Sequence, residues 1–335
     1  LVGDERDAKS VQLAAIANIS TFLRWTEEIL NFWAQEPADA LRSGGLGVRD
    51  LKIISTHLGV DANCAAFVAE LSYLAGLLTI DPDDRILPTS QFDIWLTQTP
   101  SARWQSLVAP WLITSRVSGL VGKEESKNVA PLGPELDRVA AAPLRKLTLR
   151  LLQESEGTAP QFASLLALAQ WSTPARRSGG ISSDYIQWTL REAEWLGLTG
   201  QGAISKYATA LLAGEDLDVI DQDLPKPVDH ILIQSDHTAI APGPLEHEVA
   251  QELAILADIE SRGGATVYRF SEATIRRGLD HGRTGDEIKA FLRKTSKTPM
   301  PQPLEYLIAD VAKKHGKLRV GNTSSFIRCE DSALI

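Results

Sequence analysis

The sequence is poor in cysteine and methionine and has no long apolar run. Its two cysteines, Cys64 and Cys329, lie far apart in 335 residues. We therefore expect no disulfide framework and no paired-cysteine metal site. No segment approaches the roughly 18 unbroken apolar residues that cross a membrane, and Leu1-Val2-Gly3-Asp4-Glu5 lacks the basic and apolar regions of a signal peptide. These absences predict a cytoplasmic protein without a membrane partner.

Motifs of catalytic sites are also missing. Gly122-Lys123-Glu124 and Gly316-Lys317-Leu318 lack the Ser or Thr and the upstream glycine of a phosphate-binding loop. The segment His247–Gln251 lacks the second histidine of a zinc protease helix, and no Gly-x-Ser-x-Gly sequence occurs. The acid pair Asp286-Glu287 stands at a helix start, where acids stabilise the helix dipole. The sequence therefore predicts a protein that is not an enzyme and has no cofactor or metal.

Negative charge predominates over the whole chain but not in every part of it. The net charge is −9, from 34 Lys and Arg against 43 Asp and Glu. Residues 276–319 hold eleven Lys and Arg against five acids, a net of +6, so the remainder carries −15. A local positive surface can steer polyanions even when the total charge is negative. This segment is therefore a candidate for contact with nucleic acid.

The length and the 44% hydrophobic content predict a globular protein with two or three cores. We place a helical, winged-helix-like domain at 1–125, a second winged-helix-like domain at 126–220 and a compact α+β domain at 228–330. The predicted fold class is mainly α with small β (α+β), in which tandem winged-helix-like helical domains precede the α+β domain.

The first block has the helix–turn–helix and hairpin order that is typical of a winged helix. Apolar periodicity predicts a helix over Val48–Leu58, and Asp61 is placed to cap a following helix through Leu74. Two short apolar runs, Leu77–Ile80 and Arg85–Pro88, flank an Asp/Pro turn and predict a hairpin.

The second block repeats this order more loosely. A loop at 176–180 precedes a predicted helix over Ser183–Leu196, and residues 198–204 form a short wing before a helix through Leu212. An imperfect internal repeat follows from this order.

After an acidic, proline-containing linker at 215–229, the pattern changes to mixed strands and helices. A capping box of Thr284 and Glu287 opens one of the helices. The predicted strands are at 231–234, 238–240, 265–270, 317–320 and 326–328, and the predicted helices are at 246–259, 271–280, 284–295 and 303–315.

Cationic side chains on the last helices and near the first winged helix are the candidate binding residues. An ordinary solvated surface is the alternative interpretation of such a cluster. The candidates for nucleic-acid binding are Arg276, Arg277, Arg283, Lys289, Arg293, Lys294, Lys297, Arg49 and Lys52.

Aromatic residues are few near these cations, with Phe291 and Tyr306 the nearest. This favours contact with the nucleic-acid backbone over base stacking. The eight tryptophans lie in helical apolar patterns, which predicts packing in the core.

Four segments of the last block resemble one family in order and spacing: Ile231–Thr238, Thr266–Ser271, Ser296–Pro303 and His315–Leu318. The chain is similar there to the XPB-type helicase-associated N-terminal domain, and Pro100–Leu107 resembles the winged-helix-like part of its motor-less bacterial branch. The resemblance implies a role linked to DNA repair, unwinding or transcription, in a domain that contacts DNA.

Two functions follow as expectations. The first is a non-catalytic DNA-binding accessory protein, or region of one, whose basic surface tolerates many sequences. The second is a protein-docking scaffold for a helicase or RNA polymerase partner without direct DNA contact. The second is favoured by the predicted recognition helices, which carry few side chains that read bases.

Overall fold

The computed structural model describes residues 1–122, 129–172, 183–262 and 265–315. The chain divides into two compact units, unit 1 at Leu1–Leu224 and unit 2 at Pro225–Ile335. Helices predominate and the sheets are small and antiparallel, which confirms the predicted fold class. Of the predicted elements, the loop at 176–180 and the strands at 317–320 and 326–328 lie outside the described residues.

The first half of unit 1 follows the predicted order of helices and hairpin. Asp61 caps α3 by accepting a hydrogen bond from the Cys64 amide at 2.8 Å, as predicted. Strands β2, β4 and β3 form one sheet in that order. The elements are β1 (Gly3–Glu5), α1 (Ala8–Gln35), β2 (Ala38–Asp39), α2 (Val48–Leu58), α3 (Ala62–Leu74), β3 (Leu78–Ile80), β4 (Arg85–Pro88), α4 (Gln91–Leu96) and α5 (Pro100–Ile113).

The second half of unit 1 has the same order of helix, strand, two helices, hairpin and helix. Strands β6 and β7 pair with each other, and β5 pairs with β1 from the start of the chain. The elements are α6 (Ala141–Gln153), β5 (Thr158–Pro160), α7 (Phe162–Ser172), α8 (Ser183–Trp195), β6 (Thr199–Gly200), β7 (Ala203–Ile204), α9 (Lys206–Ala213) and α10 (Asp218–Asp223).

The third helix of the first half, α3, is an interior element, and the third helix of the second half, α8, buries one side. Nine consecutive residues of α3, from Cys64 to Ser72, are buried. The rings of Phe67 in α3 and Trp195 in α8 lie 5.6 Å apart, which places the two helices in contact. A single apolar core extends from Ala15 to Ile220 through both halves.

Each of these two helices carries a buried carboxylate that is bonded by the segment between α5 and α6. In α3, Glu70 accepts two hydrogen bonds from the Arg116 guanidinium, at 2.7 and 3.0 Å. In α8, Glu192 accepts a hydrogen bond of 2.6 Å from the Ser118 hydroxyl. Arg145 in α6 lies 3.7 Å from Glu192 and donates to the Thr114 carbonyl. One connecting segment therefore satisfies buried acids of both halves.

Unit 2 is a four-stranded antiparallel sheet, in the order β10-β11-β9-β8, with helices packed against it. Its core is separate from that of unit 1. The elements are β8 (Leu232–Ile233), β9 (Thr238–Ala241), α11 (His247–Leu256), β10 (Asp258–Arg262), β11 (Thr266–Arg269), α12 (Glu272–Asp280), α13 (Gly285–Thr295) and α14 (Gln302–Lys314).

The predicted helix at 246–259 was wrong at its end. It stops at Leu256, and Asp258–Arg262 forms the edge strand β10, which pairs with β11. The carbonyl groups at this helix end are bonded by Arg277, which lies about twenty residues further along the chain.

Candidate nucleic-acid interface

Helices α12, α13 and α14 carry the cations of the predicted basic surface. Two capping boxes fix the starts of the first two helices. In α12, Ser271 and Thr274 bond each other's backbone amides. In α13, the Thr284 amide donates to Glu287 at 2.8 Å and the Glu287 amide donates to the Thr284 hydroxyl at 3.2 Å, as predicted. The helices that present the cations are thus defined locally by their own sequences.

Arg277 makes structural contacts within unit 2. Its guanidinium donates to the Asp258 carboxylate at 3.0 Å and to the carbonyl oxygens of Ala254, Ile255 and Ala257. The last turn of a helix leaves such carbonyls without intrahelical partners. Arg277 therefore completes the end of α11, and its charge is offset by Asp258.

Three further candidates are held by carboxylates. Arg283 donates two hydrogen bonds to Glu252 at 2.7 and 2.9 Å, and these bonds lower the pKa of Glu252. The Lys289 ammonium lies 2.7 Å from Asp286 and lowers the pKa of that carboxyl. Arg293 bonds Glu305 at 2.5 Å. Each of these pairs removes most of the positive charge that a phosphate would meet.

The remaining candidates of unit 2 are exposed. Within residues 225–262 and 265–315, Arg276, Lys294 and Lys297 make no ion pair, and neither does the exposed Lys313 of α14. We call these four side chains the unpaired cations. Lys313 belongs to the basic segment but was absent from the predicted site residues.

The unpaired cations have charged neighbours of both signs. A hydrogen bond with Asp310 raises the pKa of Lys314, and the nearby Arg276 opposes this rise. Near the end of α13, a hydrogen bond with His230 lowers the pKa of Asp229, and the charge of Lys297 lowers it further.

Acids from outside the basic segment balance the charge of unit 2. Residues 225–315 contain twelve Lys and Arg and thirteen Asp and Glu. Glu252 and Asp258, which pair with Arg283 and Arg277, precede the segment that was counted as basic. Among the candidates within residues 225–315, the unpaired cations are therefore the ones that keep an exposed charge without an ion-pair partner.

Arg49 and Lys52 lie in unit 1, on the exposed side of α2, whose other side buries Leu51, Ile54 and Leu58. Both are exposed and make no ion pair within the described residues. The helix that follows, α3, is buried along most of its length and therefore presents little surface that a ligand could contact.

Two large aromatic side chains are exposed, and one of them, Trp171, departs from the predicted packing of the tryptophans in the core. The tryptophans pack in the core of unit 1 or against it, except Trp171, which is 85% exposed at the end of α7. In unit 2, Tyr306 is 71% exposed on α14. The apolar periodicity of α14 alone could have placed Tyr306 on the outer side, between the buried Leu304 and Ile308.

Within the described residues, no group of three His, Cys, Asp or Glu is arranged to hold a metal ion. No helix described here is long and apolar enough to span a membrane.

Comparison with known families found a match in the second unit. The family model described as helicase conserved C-terminal domain matches residues 231–335. Unit 2 is similar to this helicase domain. The match starts at the first strand of the sheet and includes all four unpaired cations. No curated protein matches the chain.

This match corrects the expectation that the protein is not an enzyme. A helicase conserved C-terminal domain points to a helicase-type protein, which is an enzyme. The expectation rested on the absence of short catalytic motifs. A similarity that extends over a whole domain carries more information than the absence of any one short motif.

Proposed function

We propose that the helicase-related unit 2 binds DNA, with Arg276, Lys294, Lys297 and Lys313 contacting phosphate groups. The observation that carries the proposal is the exposure of these cations, without ion pairs among the described residues, inside the matched segment. Lysine and arginine contacts to phosphates position a protein on nucleic acid without reading its sequence. We therefore expect binding that tolerates many sequences.

The finer proposal is that unit 2 is an XPB-type helicase-associated domain, acting in repair, unwinding or transcription. Its support is the resemblance of four segments, three of which meet around the sheet. The Lys297 amide donates to the Ile231 carbonyl at 3.0 Å, and the Phe270 amide donates to the His237 carbonyl at 2.8 Å. Segments that are distant in sequence thus contribute to one compact structure.

The test is fluorescence anisotropy of the full chain with a labelled duplex over a series of salt concentrations. Replacing Arg276, Lys294, Lys297 and Lys313 with Gln should abolish most of the affinity. It should also flatten the dependence of log affinity on log salt by about 0.9 for each lost phosphate contact.

A matched control changes the same net charge in unit 1. The exposed residues Lys9, Arg42, Lys146 and Arg150 are replaced with Gln. Equal losses in the two variants would show that only total charge matters, and binding that survives the first variant would refute the proposed contact.

A second function, protein docking, is favoured for unit 1 by its charge and by the burial of α3. Residues 1–224 contain nineteen Lys and Arg and twenty-eight Asp and Glu, so this unit repels DNA overall. If each half is a winged helix, the helix that would enter a DNA groove is α3 or α8. Helix α3 is buried along most of its length, and α8 has acids at Asp184, Glu192 and Glu194. We propose that unit 1 docks a helicase or RNA polymerase partner.

Cross-linking of the full chain with purified RNA polymerase, or with a purified helicase motor, tests this second function. We expect cross-links from residues 1–224. Cross-links confined to unit 2, or none with either partner, would contradict the docking role.

A further inference from the structure

Tyr306 has an unusual position for a large aromatic side chain. It lies in the middle of α14, where Leu304, Ile308 and Val311 form the buried side, and it is 71% exposed. Its ring therefore has a face that solvent reaches. A ring that contributes nothing to the core is available to a ligand with a flat apolar face.

The acids next to this ring in α14 are paired with cations. The nearest acid in sequence, Glu305, is bonded by Arg293 from α13, and Asp310, one turn further on, is bonded by Lys314. Both negative charges beside the ring are thereby offset.

Lys313 lies two turns after Tyr306 on the same side of α14. Seven residues of an α-helix span about 10 Å. Lys313 is exposed and makes no ion pair within the described part of unit 2. An aromatic face and a cation are thus within reach of one strand of nucleic acid.

We propose that Tyr306 stacks on an unpaired base, and that unit 2 therefore prefers single-stranded DNA to duplex DNA. The inference rests on the proposed DNA binding and names the form of DNA that is bound. In a duplex, each base is covered on both faces by its neighbours, whereas a single strand can turn a base onto an exposed aromatic ring. Lys313 then contacts the phosphate backbone beside the stacked base.

The test compares Tyr306→Ala and Tyr306→Phe in the full chain. Anisotropy is measured with a labelled single strand and with the duplex of the same sequence. Tyr306→Ala should weaken binding to the single strand about ten-fold or more, because stacking on an aromatic ring is lost. Tyr306→Phe keeps the ring and should bind within about two-fold of the original protein. Neither change should alter duplex binding.

A second measurement locates the contact directly. A single strand containing 5-bromouracil is irradiated with the protein, and the cross-linked peptide is identified by mass spectrometry. We expect the cross-link at Tyr306 in the unchanged chain. Circular dichroism of both variants should show unchanged melting, since the ring is exposed.

The outcomes separate this inference from the proposed function. If Tyr306→Ala binds the single strand as tightly as the original, while loss of the unpaired cations weakens binding, stacking is refuted and DNA binding stands. A cross-link that maps elsewhere in the chain also refutes it. If the original chain binds neither form of DNA at low salt, both proposals fail.

Discussion

Arg277 bonds Asp258 at 3.0 Å and at the same time donates to the carbonyl groups that end α11. Its neighbour Arg276 is exposed and makes no ion pair within the described residues of unit 2. Of these two adjacent arginines, Arg277 therefore stabilises the fold, whereas Arg276 is available at the surface. This difference permits experiments that separate stability from binding.

Replacing Arg277 with Ala should lower the stability of unit 2 by about 1–2 kcal/mol, because charge-assisted bonds to a half-exposed side chain are lost. DNA affinity per folded molecule should change little. Replacing Arg276 with Ala should do the reverse, with a stability change within about 0.5 kcal/mol. Hydrogen-exchange mass spectrometry of the peptides from α11 and β10 measures the first effect and anisotropy the second. Equal effects of the two changes on stability would contradict this assignment.

Replacing Glu305 with Gln should increase DNA affinity. The change removes one negative charge beside Tyr306 and releases Arg293, whose side chain is 58% exposed, to contact a phosphate. The salt dependence of binding should steepen by about 0.9. The control is Glu156→Gln, which makes the same charge change at an exposed site in unit 1. Unchanged affinity with Glu305→Gln would show that Arg293 lies outside the interface.

Acid should destabilise unit 2 in part through Glu252. The hydrogen bonds from Arg283 lower the pKa of Glu252 in the folded protein. A carboxyl whose folded pKa is depressed contributes stability above its unfolded pKa, about 4.3 for Glu, and loses that contribution as the pH falls below it. Glu252→Gln should therefore reduce the stability that unit 2 loses as the pH falls from about 6 to about 3, since this range contains the unfolded pKa of Glu.

The control for this prediction is Glu248→Gln, at an exposed residue one turn earlier in α11 for which the described structure shows no ion pair. It should change the acid dependence less than Glu252→Gln does, because Glu248 interacts only with the dipole at the start of α11. Hydrogen exchange of unit 2 peptides at each pH provides the measurement. An acid dependence that is the same in both variants and the original would rule out a contribution from the Arg283 pair.

Replacing Glu70 with Ala should destabilise unit 1 by about 3 kcal/mol or more, because it leaves the guanidinium of Arg116 buried without its partner. Burial, the largest single influence, opposes the charged form of Arg116, but the hydrogen bonds and charge of Glu70, together with the charge of Asp137, raise the pKa of Arg116. The double change Glu70→Leu with Arg116→Met should recover part of the loss, since no lone charge then remains.

Tryptophan fluorescence during urea unfolding measures this effect in unit 1 alone, because all eight tryptophans lie before residue 196. The contradicting result would be a double variant that is less stable than Glu70→Ala by as much stability as Arg116→Met alone loses. The two residues would then act independently, and their pairing would contribute little to stability.

Local sequence signals predicted the elements of this protein well. The cap at Asp61, the box of Thr284 and Glu287, and the hairpin of β3 and β4 depend on residues within a few positions of each other. Such patterns are readable from one sequence because the interactions they describe are local.

Long-range pairing explains what the sequence could not show. The end of α11 and the start of β10 depend on Arg277, and no sequence pattern near Leu256 predicts this contact. For the same reason, four of the seven cations predicted in unit 2 proved to have carboxylate partners, two of them outside the basic segment. Counting charge along a segment cannot detect acids that the fold brings to it from elsewhere.

The segment that carries Arg116 and Ser118 bonds one buried acid in each half of unit 1. The two halves share this segment and one apolar core, so we expect denaturation of unit 1 in a single cooperative step. A partner that binds either half would then protect both from unfolding, by mass action on one shared equilibrium.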